Sequence, residues 1–231
     1  MPSALIIGDS HVDDWSPFGS KLVSKLKKAG YTVRREGLGG STSKNWANGS
    51  PCKLKGRCLK VADLPKGVDL LLICLGTNDG ANAAAAKSDP AKAANAVVQN
   101  IKRLEATLAA KRTVWLLPPW QRGNMKHYTQ AAMEPIYAAA PQATGVELFD
   151  SRPSTEKLVK GGSGDGVHPM GQSAESWAEA VVQQVTGGAG AGAVSQPAAA
   201  TPSQAGMSTG LFVGLVAAAG LAAFFFLRRK G

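Results

Sequence analysis

Cysteine and histidine are both scarce in this chain, at three residues each among 231. Cys52 and Cys58 bracket the segment KLKGR, and Cys74 lies inside the apolar run LLLICLG. No further cysteine and no cluster of histidines joins them, which excludes a structural zinc site. Cys52 and Cys58 could close a small disulfide loop in an oxidising compartment, whereas Cys74 suits packing. Aromatic residues are only 6% of the chain, and they form no ladder along its basic segments. Without such a ladder or a helix-turn-helix pattern, the positive charge does not indicate a nucleic-acid partner. Acidic residues are the minority charge, 16 against 26 basic, for a formal net charge of +10. Lys44, Lys53, Lys55, Arg57, Lys60 and Lys66 share one stretch in which only Asp63 opposes them. They read as a solvated face or as a basic loop turned toward an anionic surface or polymer. The G-x-S-x-G elbow of the ordinary α/β-hydrolases is missing, as is any internal repeat. The first apolar run, 4–7, is far shorter than the core of a secretory signal and has no basic segment before it, so no signal peptide is expected.

Composition changes sharply near the end. Residues 186–206 read TGGAGAGAVSQPAAATPSQAG, without charge and almost without large apolar side chains. Such a tract cannot bury enough surface to offset its ordering entropy, so a flexible linker is expected, with a mean reach of roughly 25 Å. Residues 210–227 carry no charge and are followed at once by Arg228, Arg229 and Lys230. A run of about 18 apolar residues with a basic stop predicts a single transmembrane helix. The chain thus divides into a globular domain at 1–185, a linker at 186–206 and a membrane segment at 207–231. The side of the membrane stays open: the basic end favours a cytoplasmic tail, and the lack of a signal favours the reverse.

Within the first part, short apolar runs alternate with longer amphipathic patterns. Residues 4–7, 31–34, 69–75, 113–117 and 146–149 read as strands. Helical spacing is clear over 19–29, over 90–111 behind the cap Ser88-Asp89-Pro90, and over 171–185. This alternation predicts a parallel sheet covered on both faces, with ligands beyond the carboxyl ends of its strands.

Four polar, glycine-rich turns fall at that edge or lead into the last helix: GDSH at 8–11, GLGGSTS at 37–43, GTND at 76–79 and GDGVHP at 164–169. Together they hold the parts of an acyl-transfer site. A serine hydroxyl becomes nucleophilic when an imidazole takes its proton, and a carboxylate fixes the tautomer of that imidazole. Ser10, His168 and Asp165 suit these roles, with Asp150 as an alternative acid. The oxyanion needs donors already in place, for which the Ser10 N–H, the Gly40 N–H and the Asn78 amide are candidates. His11 is set aside as the base, because neighbouring side chains on a turn diverge. Asp9 suits a structural role within its turn, and Asp79 support of the Asn78 loop. His127 reads as a surface residue.

In that order, GDSH, GLGGST, GTND and DGVHP resemble the four sequence blocks of the SGNH (GDSL) hydrolase family. The family's name residues map onto Ser10, Gly40, Asn78 and His168, with Asp165 as triad acid. The resemblance implies a flavodoxin-like three-layer α/β/α fold with a central parallel sheet. It also implies ester hydrolysis without a metal or other cofactor.

The expected activity is therefore that of a membrane-tethered serine esterase acting on small acyl esters. The size of the domain and the TVWLLPPW segment are similar to members that act on O-acetyl sugars. An acetylated polysaccharide or peptidoglycan would suit the tether and the basic loop, with Trp46 and Trp120 as stacking surfaces for a sugar ring. Rival readings are a lipase or thioesterase, a catalytically silent carbohydrate-binding module, and a structural membrane or particle protein.

Overall fold

A strand with both faces covered must pair its backbone groups within the sheet, since water cannot reach them. Five short strands do so in the computed structural model: β1 (Ser3–Gly8), β2 (Thr32–Gly37), β3 (Leu70–Cys74), β4 (Thr113–Leu116) and β5 (Glu147–Phe149). All are parallel, in the order β2-β1-β3-β4-β5. Seven α-helices are found among the described residues: α1 (Pro17–Lys28), α2 (Ser43–Ala47), α3 (Thr77–Ala85), α4 (Pro90–Leu108), α5 (Gln130–Ala139), α6 (Arg152–Val159) and α7 (Gly171–Thr186).

The structure describes residues 1–53, 56–122, 125–159 and 165–187. The expected membrane segment and all of the expected linker beyond Gly187 lie outside the described residues. Among the described residues, no helix is long and apolar enough to cross a membrane.

The period-two alternation of each strand sorts its side chains between two cores. Leu5, Ile7, Leu71, Ile73 and Trp115 join Val97, Val98, Ile101 and Leu104 of α4 with Met133 and Ile136 of α5. Ala4, Ile6, Leu70, Leu72, Val114 and Leu116 join Phe18, Leu22 and Leu26 of α1 with Trp177, Ala178 and Val181 of α7. The result is the three-layer α/β/α arrangement. Each fully buried Leu or Ile contributes roughly 1.5–3 kcal/mol of transfer free energy, so this double core dominates stability. On the second face, Phe18 stacks on Trp177 with ring centroids 3.6 Å apart. Lys25 bridges to Glu175 at 2.8 Å, joining the outer surfaces of α1 and α7.

Expected strands and helices agree with the structure to within a few residues at their ends. The Asp89 cap on α4 forms as expected, its carboxylate accepting the N–H groups of Ala91 and Lys92 at 2.9 and 3.1 Å. Four of the seven helices, α2, α3, α5 and α6, were not expected, and two of them show why. GTND reads as a turn, yet Gly76 at φ +127 reverses the chain and Thr77 begins α3 at once. Only glycine takes that backbone conformation without strain. In α5, Pro135 stands inside the helix, where its missing N–H argues against helix in sequence.

Candidate active site

Because all five strands are parallel, their carboxyl ends share one edge, and the turns that leave it meet there. β1 leads into Asp9-Ser10-His11. Asp9 Oδ1 accepts the His11 N–H at 3.0 Å, and the Asp9 carbonyl accepts the Val12 N–H at 3.2 Å. This closed turn leaves Ser10 partly exposed between two buried neighbours.

The second loop reaches Ser10 from the other end of the chain. Asp165 Oδ1 accepts the N–H groups of Val167 and His168, both at 2.9 Å. Its Oδ2 lies 2.5 Å from His168 Nδ1, and His168 Nε2 lies 2.8 Å from Ser10 Oγ. A carboxylate can only accept, so Nδ1 carries the proton and Nε2 offers its lone pair to the Ser10 hydroxyl. Burial works against the Asp165 anion, but the His168 and Val167 contacts outweigh it and lower its pKa. For His168, burial leads and the charge of His11 adds to it. Together they overcome Asp165 and pull the pKa below the ordinary histidine value. The imidazole is thereby neutral at neutral pH, the state that a general base needs. Asp150, the alternative acid, is instead engaged with Arg152 Nη2 at 2.7 Å.

The candidate oxyanion donors differ in how fully they are engaged. Neither the Ser10 N–H nor the Gly40 N–H makes a hydrogen bond among the described residues. Gly40 holds φ +81, which turns its peptide where a side-chain residue would be strained. Asn78, in the first turn of α3, donates from Nδ2 to the Ser41 carbonyl at 2.9 Å, and its Oδ1 accepts the Tyr128 hydroxyl at 2.8 Å. Both contacts fix the amide plane and leave one N–H of Nδ2 unengaged. Tyr128 was not foreseen, since nothing local in RGNMKHY marks it as a partner of Asn78. Asp79, next along α3, holds the loop before α2: it accepts the Ser43 N–H at 2.9 Å and the Ser43 hydroxyl at 2.8 Å. Burial pushes its carboxyl up to about 6, against those Ser43 hydrogen bonds.

The basic segment lies beside this loop. Cys52 and Cys58 form a disulfide, Lys53 pairs with Asp13 at 2.9 Å, and Asp13 accepts the Gly39 N–H at 3.0 Å. Arg57 pairs with Glu36 at 3.0 Å. Part of the positive cluster is therefore compensated internally, in keeping with the solvated-face reading.

One of the two expected stacking tryptophans requires a correction. Trp46 is 0% exposed, packed in the α4-side core with its indole N–H donated to Ser41 Oγ at 2.9 Å. Its ring has no face left for a sugar. Short apolar spacing in KNWA could not separate core from surface. Trp120 is partly exposed, and its N–H donates to Thr155 Oγ1 at 2.9 Å. The aromatic ring beside the chemistry is Trp15, which is 50% exposed and meets His168 in a T-shaped contact with centroids 4.8 Å apart.

Among the described residues, Asp9, His11 and Cys74 bring metal-ligating atoms within 4.8 Å of one another. His11 already uses both ring nitrogens, on Asp9 Oδ1 and the Val167 carbonyl, and burial pushes the Cys74 thiol well up. With both imidazole nitrogens engaged and the thiol held protonated, this set does not fit an ion. A cavity of about 380 Å³ between α3, α4 and α5, lined by Asp79, Ala94 and Ile136 among others, includes none of Ser10, Asp165 and His168 in its wall.

Residues 6–173 match the model of the GDSL-like lipase/acylhydrolase family. The chain belongs to that family. It is accordingly a carboxylic ester hydrolase, built on the α/β fold that this family uses. No curated protein matches it by sequence. Among solved structures, it is similar to a carbohydrate esterase family 3 protein from Talaromyces cellulolyticus. That match has a TM-score of 0.58 at 14% identity and covers 80% of this chain and 96% of the other. It is also similar to an acetylxylan esterase from Geobacillus stearothermophilus, with a TM-score of 0.54 at 16% identity, over 80% of this chain and 94% of that one. At such identities the likeness establishes the shared fold.

Proposed function

We propose that this family member is a membrane-tethered serine esterase that removes small acyl groups, acetyl foremost, from a carbohydrate or cell-envelope polymer. The observation that carries the mechanism is the continuous relay from Asp165 Oδ2 to His168 Nδ1 and from His168 Nε2 to Ser10 Oγ at 2.8 Å. Ser10 Oγ attacks the ester carbonyl while His168 Nε2 takes its proton. Asp165 stabilises the imidazolium, and the N–H groups of Ser10, Gly40 and Asn78 receive the oxyanion. Collapse breaks the bond to the alcohol, which leaves with the proton from His168, and an acyl-Ser10 ester remains. Water, deprotonated by the same imidazole, attacks that ester. The acid departs and Ser10 regains its proton.

Two features support the carbohydrate side of this reading. The exposed Trp15 ring stands against His168, where the alcohol portion of a substrate would lie, and an indole suits the apolar face of a pyranose. Acetylated polysaccharide is also the substrate named for the Geobacillus relative. The tether rests on the uncharged run 210–227 and its basic stop.

Acetate release from acetyl-xylan and O-acetylated peptidoglycan, set against short acyl lipids, tests the substrate. Preference for the saccharides is expected, and preference for the lipids would overturn that part. Protease accessibility of the 186–206 segment in intact cells or particles tests the tether and its topology.

A further inference from the structure

Two histidines stand side by side in this site, and the relay uses only one. His11 is 1% exposed, its ring centroid 5.1 Å from that of His168 and 5.7 Å from Trp177 of α7. Its Nδ1 lies 2.8 Å from Asp9 Oδ1, and its Nε2 lies 3.1 Å from the carbonyl of Val167. A carbonyl oxygen only accepts, so Nε2 must carry a proton. The Asp9 side then holds a second proton between Nδ1 and the carboxylate. Asp9 Oδ2 has no hydrogen-bond partner, so His11 is the main compensation for this buried carboxylate.

What the second nitrogen holds matters most. His11 follows Ser10 directly, and Val167 precedes His168 directly. One hydrogen bond therefore joins the peptide beside the nucleophile to the peptide beside the base. The base loop has one other backbone anchor among the described residues, Gly166 O accepting the Arg122 N–H at 3.0 Å. We propose that His11, oriented by Asp9, is the positioning residue that ties the nucleophile turn to the base loop and so sets the Ser10–His168 distance. This rests on the catalytic reading above, and it makes the residue after the serine part of the machinery without contact to substrate.

The pair has an electrostatic consequence. The charged groups facing His168 are Asp165 on its own loop and His11 and Asp9 on the nucleophile turn. Those facing His11 are Asp9 and Asp165, with the His168 ring and the protonated Cys74 thiol as its other titratable neighbours. Burial pulls the His11 pKa down, but Asp9, Val167 and Asp165 together leave it raised. A charged His11 opposes protonation of His168. Its removal both deletes that charge and leaves Asp9 uncompensated. Each change raises the His168 pKa, so the acid limb of kcat/KM moves to higher pH.

The test uses the full chain with p-nitrophenyl acetate as probe. His11→Ala is expected to lower kcat about 10²-fold with little change in KM, as a misplaced base does. His11→Gln keeps an amide N–H for Val167 but no charge. It is expected to restore kcat to within about tenfold of the parent while its acid limb stays displaced upward. A folded His11→Ala with parental kcat and an unmoved limb would overturn the inference. Should that variant fail to fold, His11→Phe, which keeps a ring but offers no donor to Val167, decides in its place: a kcat well below that of His11→Gln supports the role, and a parental kcat overturns it. Ser10→Ala separates the two readings. If it is inactive, a failure at His11 touches only the positioning role; if it keeps activity, the catalytic reading itself falls.

Discussion

Two aspartate–histidine pairs lie within one ring contact of each other, and only their surroundings make them different. Asp165–His168 is on a partly exposed loop, with one imidazole nitrogen on the carboxylate and the other on a serine hydroxyl. Asp9–His11 is buried, with one nitrogen on the carboxylate and the other on a backbone carbonyl. An imidazole that faces a hydroxyl can take its proton; one that faces a carbonyl already needs its own. The first pair has a pKa lowered toward the neutral base, the second a pKa raised toward the cation. Residue type alone therefore does not mark a general base. The partner of the second nitrogen does.

The largest effect expected is loss of the exposed pair's chemistry. Ser10→Ala or His168→Ala should lower kcat by about 10⁴-fold or more, and Ser10→Ala should abolish labelling by a fluorophosphonate. Undiminished labelling of the folded Ser10→Ala variant would place the nucleophile elsewhere. Next comes Asn78, the proposed oxyanion donor, whose amide the Tyr128 hydroxyl orients. Asn78→Ala should lower kcat by about 10²–10³-fold with KM nearly constant, measured on the same ester. A loss confined to KM would show that the amide binds ground state and transition state alike.

The pH profile sharpens the comparison directly. Because the His168 pKa is lowered, the midpoint of the rise in kcat/KM should fall below the ordinary histidine value of about 6.5. A profile flat from about pH 4 to 8 would contradict an imidazole base. A smaller change is expected at the tryptophan that touches only the exposed pair. Trp15→Ala should raise KM for an acetylated oligosaccharide by about fivefold, the loss of roughly 1 kcal/mol of ring contact, and leave hydrolysis of p-nitrophenyl acetate nearly intact. Equal loss on both substrates would make Trp15 a prop for His168 instead.

The smallest effect concerns stability at Asp79. Its carboxyl is raised to about 6 in the folded chain, above its unfolded value, so its contribution is full at acid pH and fades as pH rises through that value. Asp79→Asn should therefore destabilise most near pH 4, and the gap in melting temperature should narrow toward pH 8. A gap that widens with pH would reverse the assignment.

Much of this site can be read from the chain itself. Ser10, His168, Asp165, Asn78 and Gly40 stand out because each sits in a short polar turn after an apolar run or before a helix, and backbone spacing alone brings such turns to one sheet edge. Trp46 and Trp15 show where that reading stops. Both are isolated tryptophans in polar surroundings, yet one fills a core and the other stays in solvent beside the base. The helix that carries Asn78 was hidden for a related reason: Thr, Asn, Asp and Gly favour turns locally, and packing of α3 overrides that preference.

By itself, then, the sequence determined the parallel α/β alternation, the four polar turns and the uncharged run 210–227 with its basic end, because period, charge and turn chemistry are local properties. Tertiary structure alone decided which tryptophan stays exposed beside His168, which carboxylate meets which imidazole, and that Tyr128 and Val167 contact Asn78 and His11. Those outcomes depend on distances between segments as far apart as Ser10 and His168, and burial and hydrogen-bond partners exist only once the segments are packed.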